Sequence, residues 1–257
     1  MRRLRRVALE LIGPVAVLGL WALYARQTES FYFPTLREIA AAFAESWLSQ
    51  GALTDVLPSL WRLVAGYLLA VTLGVAFGLL IGLSTWVADA AEPVVQFLRA
   101  LPPPALVPFG ILVLGVGDAM KIGIIAFGAL WPVLLNTVDG VRGVDPTFLD
   151  TARTYSVPRH ARVRRFVLPA AAPQIFAGMR TSLAIALALM IVSEMVASTN
   201  GIGFVVLEAQ RTFAIPRMWS GIVLLGIIGY VVNLLFVHTE RRALRWHAGL
   251  RGHETDV

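Results

Sequence analysis

The chain has 257 residues, of which 57% are hydrophobic and 15% are charged, and its formal net charge is +6. A soluble domain usually carries about 25% charged residues, so this composition excludes an ordinary water-soluble protein. The absence of cysteine excludes disulfides and thiolate metal sites. Because the basic residues lie in short clusters between apolar runs, they indicate orientation in lipid rather than nucleic-acid binding. The sequence predicts an all-α integral membrane protein.

Six apolar segments are long enough to cross a bilayer as helices, which takes roughly 20 residues each. They cover about 7–25, 60–83, 94–116, 120–138, 175–197 and 219–238. The first follows a basic start and has no small-residue cleavage site after it, so we expect an uncleaved anchor. Residues 34–49 predict a short amphipathic helix on the outer surface. We expect this interfacial helix to serve packing only. We divide the chain into an anchor region (1–57), a core (58–240) and a tail (241–257).

Prolines interrupt the third predicted span at Pro102, Pro103 and Pro104. Proline lacks the amide donor of a regular helix, so helical hydrogen bonding must break there. Broken helix at membrane depth is tolerated only where protein or a water-filled cavity surrounds it. The third span therefore predicts a lining for an internal path.

Arginine placement predicts the orientation. With the N-terminus inside, the inner regions hold 14 arginines and the outer loops hold four. Basic residues concentrate on the cytoplasmic side of membrane proteins, so both termini are expected in the cytoplasm.

Small residues recur every four positions along the second predicted span. They are Gly66, Ala70, Gly74, Gly78 and Gly82. This spacing gives one helix stripe that lets another helix approach closely. The sequence leaves open whether the partner helix belongs to the same subunit or to a second copy.

A loop at 140–172, predicted to be cytoplasmic, carries the signals of two short helices. Asp145 followed by Pro146 is typical of a helix start, and Phe148, Leu149, Ala152 and Tyr155 then share one face. A second start follows, with Ser156 or Val157 as its cap, and that helix is expected to end at Pro169. An apolar stripe outside the membrane predicts a protein partner.

This loop resembles the cytoplasmic coupling loop of ABC importer permeases, whose pattern runs Glu-Ala-Ala, then Gly, then Ile-x-Leu-Pro. Asp150 takes the glutamate position, Thr151 and Ala152 the alanines, Ser156 the glycine and Phe166 the isoleucine, while Leu168 and Pro169 match directly. Serine lacks the freedom of glycine at positive φ, although it could serve the turn as a helix cap instead.

Three further stretches, 97–108, 115–121 and 193–203, are similar to the nitrate, sulfonate and taurine type of these permeases. The resemblance implies the type I importer fold (MetI-like) in a bacterial inner membrane. It also implies two copies of the permease around a central path, a separate ABC ATPase subunit that binds ATP-Mg, and an extracytoplasmic substrate-binding protein. The chain itself carries no Walker A loop, so no cofactor is expected in it.

Five ionisable residues fall within or at the ends of the predicted spans. We expect Arg62 and Lys121 near the outer ends, and Arg180 near the inner end, to reach the interface by snorkelling. Arg99 and Glu194 are placed on the translocation path with the three prolines. For Arg99, contact with an anionic substrate and a place at the inner interface stay open; for Glu194 we favour a gate-side hydrogen bond.

The sequence shows no catalytic constellation and no metal-binding spacing, so we expect a transport subunit and not an enzyme. A secondary transporter or channel that works without ATP is the alternative, but it does not account for a helix pair suited to docking. The resemblance favours a small anion such as a sulfonate, taurine or nitrate. A vitamin precursor or a pyrimidine is the alternative substrate.

Overall fold

The computed structural model describes residues 2–28, 30–48, 50–196 and 198–246, although the side chains of residues 2–11, 14 and 149 lie outside this description. The described chain is helical. Its α-helices, α1 to α11 in chain order, are Arg2–Thr28, Leu36–Trp47, Leu57–Gly82, Thr85–Ala100, Val107–Leu114, Asp118–Arg142, Pro146–Thr154, Arg159–Arg162, Leu168–Val196, Ile202–Arg211 and Ile215–Ala243. Most of the predicted tail, with His247 and His253, falls outside the described residues.

Within the described chain, four helical stretches are long and apolar enough to cross a membrane: Ala52–Gly82, Asp118–Arg142, Arg159–Val196 and Ile215–Ala243. A bent pair, Thr85–Ala100 with Pro103–Leu114, makes a fifth if it counts as one span. The predicted first span coincides with α1, but its residues 7–11 and 14 belong to the part whose side chains are not described. The all-helical membrane fold is confirmed.

The predicted third span differs from the structure in its start and its shape. Its helix α4 begins at Thr85, where the Ser84 hydroxyl accepts a hydrogen bond from the Val87 amide at 3.4 Å. The chain then bends by 85° between α4 and the segment that begins at Pro103. The consecutive prolines force this bend because they remove successive amide donors.

The predicted end of the second loop helix at Pro169 is wrong. Helix α8 continues through a π-helical turn, Val163–Val167, directly into α9, so one helical stretch runs over Arg159–Val196. In the π turn the Leu168 amide donates to the Val163 carbonyl, five residues back. Such a turn shifts the hydrogen-bond register, and Pro169 follows it without ending the helix.

The small-residue stripe of α3 packs against α6 of the same chain. A Cβ built on Gly66 would lie 2.6 Å from Ile125 Cγ2, and one on Gly78 would lie 2.5 Å from Thr137 Cβ. Gly74 and Gly82 face Val133 and Val141 in the same way. The contacting residues of α3 and α6 increase together along the chain at multiples of four positions, so the two helices run parallel and approach closely. The stripe is thus used within one subunit.

The predicted surface helix at 34–49 is α2. The Thr35 hydroxyl accepts from the Glu38 amide at 3.3 Å, and a Glu38 carboxylate oxygen accepts from the Thr35 amide at 2.8 Å. The hydrogen bonds that the Thr35 amide and hydroxyl donate to the Glu38 carboxylate lower the pKa of Glu38, because they favour its charged form. Trp47 ends the helix in the core, with its indole N–H donating to the Ser220 hydroxyl at 3.0 Å.

Helix α10 was not predicted, because it lies in a loop between two spans. It buries Ile202, Val205, Val206 and Ala209. The first three of these residues pack with Trp47 and with Leu224 and Ile228 of α11. A short apolar segment of this length gives no spanning signal, so only its packing identifies it.

Candidate functional site

Charged and polar side chains contact one another where α3 and α6 begin and α9 ends; Ser59, Arg62 and Glu194 among them are buried, whereas Asp118 is exposed. The set comprises Asp55, Ser59, Arg62, Asp118, Glu194 and Asn200, and we name it the Arg62 cluster. Because α7 follows the other end of α6, the cluster and α7 lie at opposite ends of the helix bundle.

Arg62 is the centre of the cluster and is only 3% exposed. Its Nε donates to Asp118 Oδ1 at 2.7 Å, and its Nη1 donates to Glu194 Oε1 at 2.7 Å. Its Nη2 donates to Asn200 Oδ1 at 2.6 Å. One guanidinium therefore joins three separate segments, which suits its rigid fork of donors.

Glu194 is fully buried, and its carboxylate accepts two further hydrogen bonds. The Ser59 hydroxyl donates to Oε1 at 2.8 Å, and the Gly203 amide donates to Oε2 at 3.0 Å. A buried carboxylate is tolerated only when it is paired and hydrogen-bonded in this way. The hydrogen bonds of Glu194 thus lie within the cluster, and its predicted place at a gate on the translocation path stays a prediction.

The turn before α10 folds around this carboxylate. Gly201 has φ +113, and a Cβ built there would lie 2.5 Å from Glu194 Cδ. The Gly201 amide donates to Asp55 Oδ1 at 2.9 Å, and the Ile202 amide donates to the Ser59 hydroxyl at 2.9 Å. Glycine is required at 201 both for its backbone conformation and for space.

The prediction that the Arg62 and Lys121 side chains reach the membrane interface by snorkelling is wrong. Lys121 is 3% exposed, and its Nζ lies 4.0 Å from Asp118 Oδ1. Both cations point into the protein because Asp118 and Glu194 offer charge partners there, which apolar spacing in the sequence cannot reveal. Arg180 is exposed, and its snorkelling to the interface stays a prediction.

The predicted path residues do not come together as one group. Arg99 is exposed at the end of α4, and its Nε donates to Gln96 Oε1 at 2.7 Å. Pro103 packs near Gly128 of α6, where an added Cβ would lie 2.9 Å from Pro103 Cγ. Pro102 and Pro104 lie at the same 85° bend, while Glu194 belongs to the Arg62 cluster.

At the opposite end, α7 begins at the predicted cap. Asp145 Oδ1 accepts a hydrogen bond from the Thr147 amide at 2.8 Å. Hydrogen bonds from the Thr147 side chain and amide lower the pKa of Asp145, because they favour the charged carboxylate.

The turn after α7 uses Ser156 in place of the glycine of the family pattern. Ser156 has φ +54, and its amide donates to the Arg153 carbonyl at 2.9 Å. The Val157 amide donates to the Ala152 carbonyl at 2.9 Å, which completes a Schellman motif. The expectation that Ser156 or Val157 caps the next helix is wrong, because Pro158 occupies that position in extended conformation.

The predicted apolar face of α7 is divided by burial. Phe148 is 62% exposed and Tyr155 is 79% exposed, whereas Ala152 is only 2% exposed. The Leu149 side chain lies outside the described part. Asp150 and Thr151 are exposed, and Asp150 Oδ1 accepts from Arg153 at 2.8 Å. Phe166, Leu168 and Pro169 are half-buried on the helical stretch that leads into α9.

Comparison with known proteins identifies the family. Residues 70–245 match the model of the binding-protein-dependent transport system inner membrane component. The chain is 31% identical to the putative aliphatic sulfonates transport permease protein SsuC of Bacillus subtilis, over 94% of this chain and 88% of that protein. It is 28% identical to the nitrate import permease protein NrtB of Leptolyngbya laminosa, over 91% of this chain and 86% of that protein.

The fold is shared with a solved transporter. The MetNI methionine ABC transporter, in an inward-facing conformation, matches with a TM-score of 0.60 at 17% identity, over 72% of this chain and 94% of that one. At this identity the likeness concerns the fold alone. Together with the family match, it shows that the chain belongs to the binding-protein-dependent transport system inner membrane components and is a multi-pass permease subunit of an ABC importer.

Proposed function

We propose that this permease imports a small anion, such as a sulfonate, taurine or nitrate, delivered by an extracytoplasmic binding protein. Two copies of the chain enclose the path, and both termini and α7 face the cytoplasm. There α7 docks on a separate ATPase subunit, which binds ATP-Mg. The observation that carries the docking proposal is the exposure of Phe148 and Tyr155 on a helix outside the spans.

The docking role follows from the position and surface of α7. Large aromatic side chains that stay exposed outside the membrane are typical of protein interfaces. Helix α7 is tied to the spans at both ends, by α6 before it and by the Schellman turn and α8 after it. A movement of the ATPase at Phe148 is therefore transmitted to α6 and α9, which contact each other extensively and also contact α3.

In this scheme the loop residues have different tasks. Asp150, Thr151 and the half-buried Phe166 belong to the docking surface, together with Phe148 and Tyr155. Ala152, Ser156, Leu168 and Pro169 hold the loop in its shape. We assign Ala152 to the second group because its side chain is buried.

Copurification tests the docking proposal. Phe148→Asp is expected to reduce the ATPase recovered with the tagged permease at least tenfold, because a charge replaces an interface aromatic. Phe213→Asp is the matched control, since Phe213 is also 62% exposed but lies beyond α10, at the opposite end. Equal recovery of ATPase with both variants would contradict the proposal.

The anionic substrate is supported by the relatives named for sulfonate and nitrate transport. Thermal-shift screening of the partner binding protein against sulfonates, taurine and nitrate, with pyrimidines and vitamin precursors as competitors, tests it directly. Stabilisation by a neutral compound alone would contradict it. Substrate uptake by the Arg99→Leu variant tests whether Arg99 faces the translocation path, and Arg180→Leu, at another exposed arginine, is the control. Unchanged uptake by Arg99→Leu would show that Arg99 does not belong to the path.

A further inference from the structure

A cavity of about 460 Å³ opens at the α7 end of the bundle, between the ends of α3 and α6 and the start of α8. It is lined by Gly82, Leu83, Val141, Arg153, Arg159, Arg162, Val163 and Val167. The residues divide into three arginines and an apolar group. The cavity is separate from the Arg62 cluster, which lies at the opposite end.

The three arginines give the cavity a strong positive charge. Arg153 is paired with Asp150 at 2.8 Å, and both of these side chains are more than 60% exposed. Arg159 and Arg162 make no side-chain hydrogen bond or ion pair with any described residue. None of the lining residues is acidic. Arg159 and Arg162 therefore line the cavity without an acidic partner among the described residues.

Guanidinium groups bind phosphate through paired hydrogen bonds, and a phosphate between several of them is held more strongly than by single lysines. The remaining walls, from Leu83, Val141, Val163 and Val167, are apolar. A free inorganic anion gains nothing from contact with apolar side chains, whereas a phospholipid carries a phosphate next to its hydrocarbon chains. A cavity lined by both arginines and apolar side chains thus favours an amphipathic anion.

The depth of the cavity agrees with a lipid headgroup. Gly82 and Leu83 stand where the apolar stretch Ala52–Gly82 ends, which is the level of the membrane interface. Basic pockets between spans at this level bind anionic headgroups. We infer that this cavity binds an anionic phospholipid, phosphatidylglycerol or cardiolipin, with its phosphate on Arg159 and Arg162 and its glycerol and upper acyl chain against Val163 and Val167.

The inference rests on the proposed function only in placing this end at the cytoplasmic leaflet. A lipid bound here touches both α3 and the stretch that leads from α7 into α9. It would therefore brace the loop against the spans. Docking of the ATPase on Phe148 leaves the lipid site distinct, so the two proposals can fail separately.

Native mass spectrometry of the purified permease–ATPase complex tests the lipid site. Phosphatidylglycerol is expected to bind in preference to phosphatidylcholine, and Arg159→Gln/Arg162→Gln is expected to weaken that binding roughly thirtyfold. Arg164→Gln/Arg165→Gln is the matched control, because it removes the same charge from neighbouring exposed arginines outside the cavity. Equal loss in both variants, or no loss in either, overturns the inference.

A second variant covers the case in which the double variant does not assemble. Val163→Phe narrows the cavity at its apolar wall and keeps every charge, so it is expected to weaken lipid binding and retain the ATPase. Displacement of the lipid by millimolar inorganic phosphate would overturn the lipid assignment in favour of a free anion. If the double variant instead loses ATPase and keeps its lipid, the arginines contact the ATPase and the inference is wrong.

Discussion

Arg62 Nη1 lies 2.7 Å from Glu194 Oε1, and this ion pair joins the start of α3 to the end of α9 with neither side chain more than 3% exposed. The residues are 132 positions apart in the chain. Both belong to helices that also pack against α6. The Arg62 cluster therefore ties together three spans and the turn before α10 at the end opposite α7.

Breaking this pair is expected to destabilise the permease strongly. Arg62→Met leaves the Glu194 carboxylate buried without its charge partner, a change that costs about 3–5 kcal/mol. Thermal unfolding in detergent measures the effect.

Arg217→Met is the control for that experiment. Arg217 Nη1 lies 3.7 Å from Glu208 Oε2, and both side chains are nearly half exposed. Surface pairs of this kind contribute about 0–1 kcal/mol. Similar shifts in melting temperature for the two variants would show that the buried pair contributes no more than a surface pair.

The α3–α6 contact predicts different costs at two glycines. Gly78→Ala places a methyl group 2.5 Å from Thr137 Cβ, so the helices must separate, at a cost of about 1–3 kcal/mol. Gly226→Ala on α11 meets nothing within 4 Å and is expected to be neutral or stabilising by up to about 1 kcal/mol. Chemical unfolding of the two variants compares them, and a harmless Gly78→Ala contradicts close packing.

Replacing Ser156 by glycine is expected to stabilise the loop. Ser156 has φ +54, and a non-glycine residue pays about 1–2 kcal/mol for that left-handed conformation. Hydrogen exchange of the α7 amides is expected to slow in Ser156→Gly. In Thr154→Gly, which puts glycine in the last turn of α7, it is expected to quicken. Faster exchange in both variants would rule out the relief of backbone strain.

The start of α7 is expected to depend on pH through Asp145. Its folded-state pKa is lowered by the hydrogen bonds from Thr147, so the stabilisation is complete above the ordinary carboxyl pKa and is lost as pH falls through the lowered value. Amide exchange at residues 147–149, corrected for intrinsic rates, is expected to rise in acid. Asp145→Asn caps without titrating, so its exchange should stay level; a parallel rise in that variant contradicts the assignment.

Local sequence signals predicted several elements of this fold. Apolar runs located four spanning helices and the bent pair, the prolines at 102–104 marked the 85° bend, and Asp145-Pro146 marked the start of α7. These succeeded because each depends on residues close together in the chain. The continuation through Pro169 was missed because a π turn depends on hydrogen-bond register, which no local residue pattern specified.

The sequence by itself determined that this protein is a helical membrane permease whose 140–172 loop resembles the coupling loop of ABC importer permeases, because hydropathy, proline chemistry and the motif are local properties. Only the tertiary structure decided what the charges and small residues contact. Arg62 is a buried partner of Glu194, the α3 glycines receive α6 of the same chain, and Ala152 lies inside the subunit. Each of these contacts joins segments that are distant in the sequence. The electrostatic and packing energies that stabilise such contacts arise only when the helices are assembled.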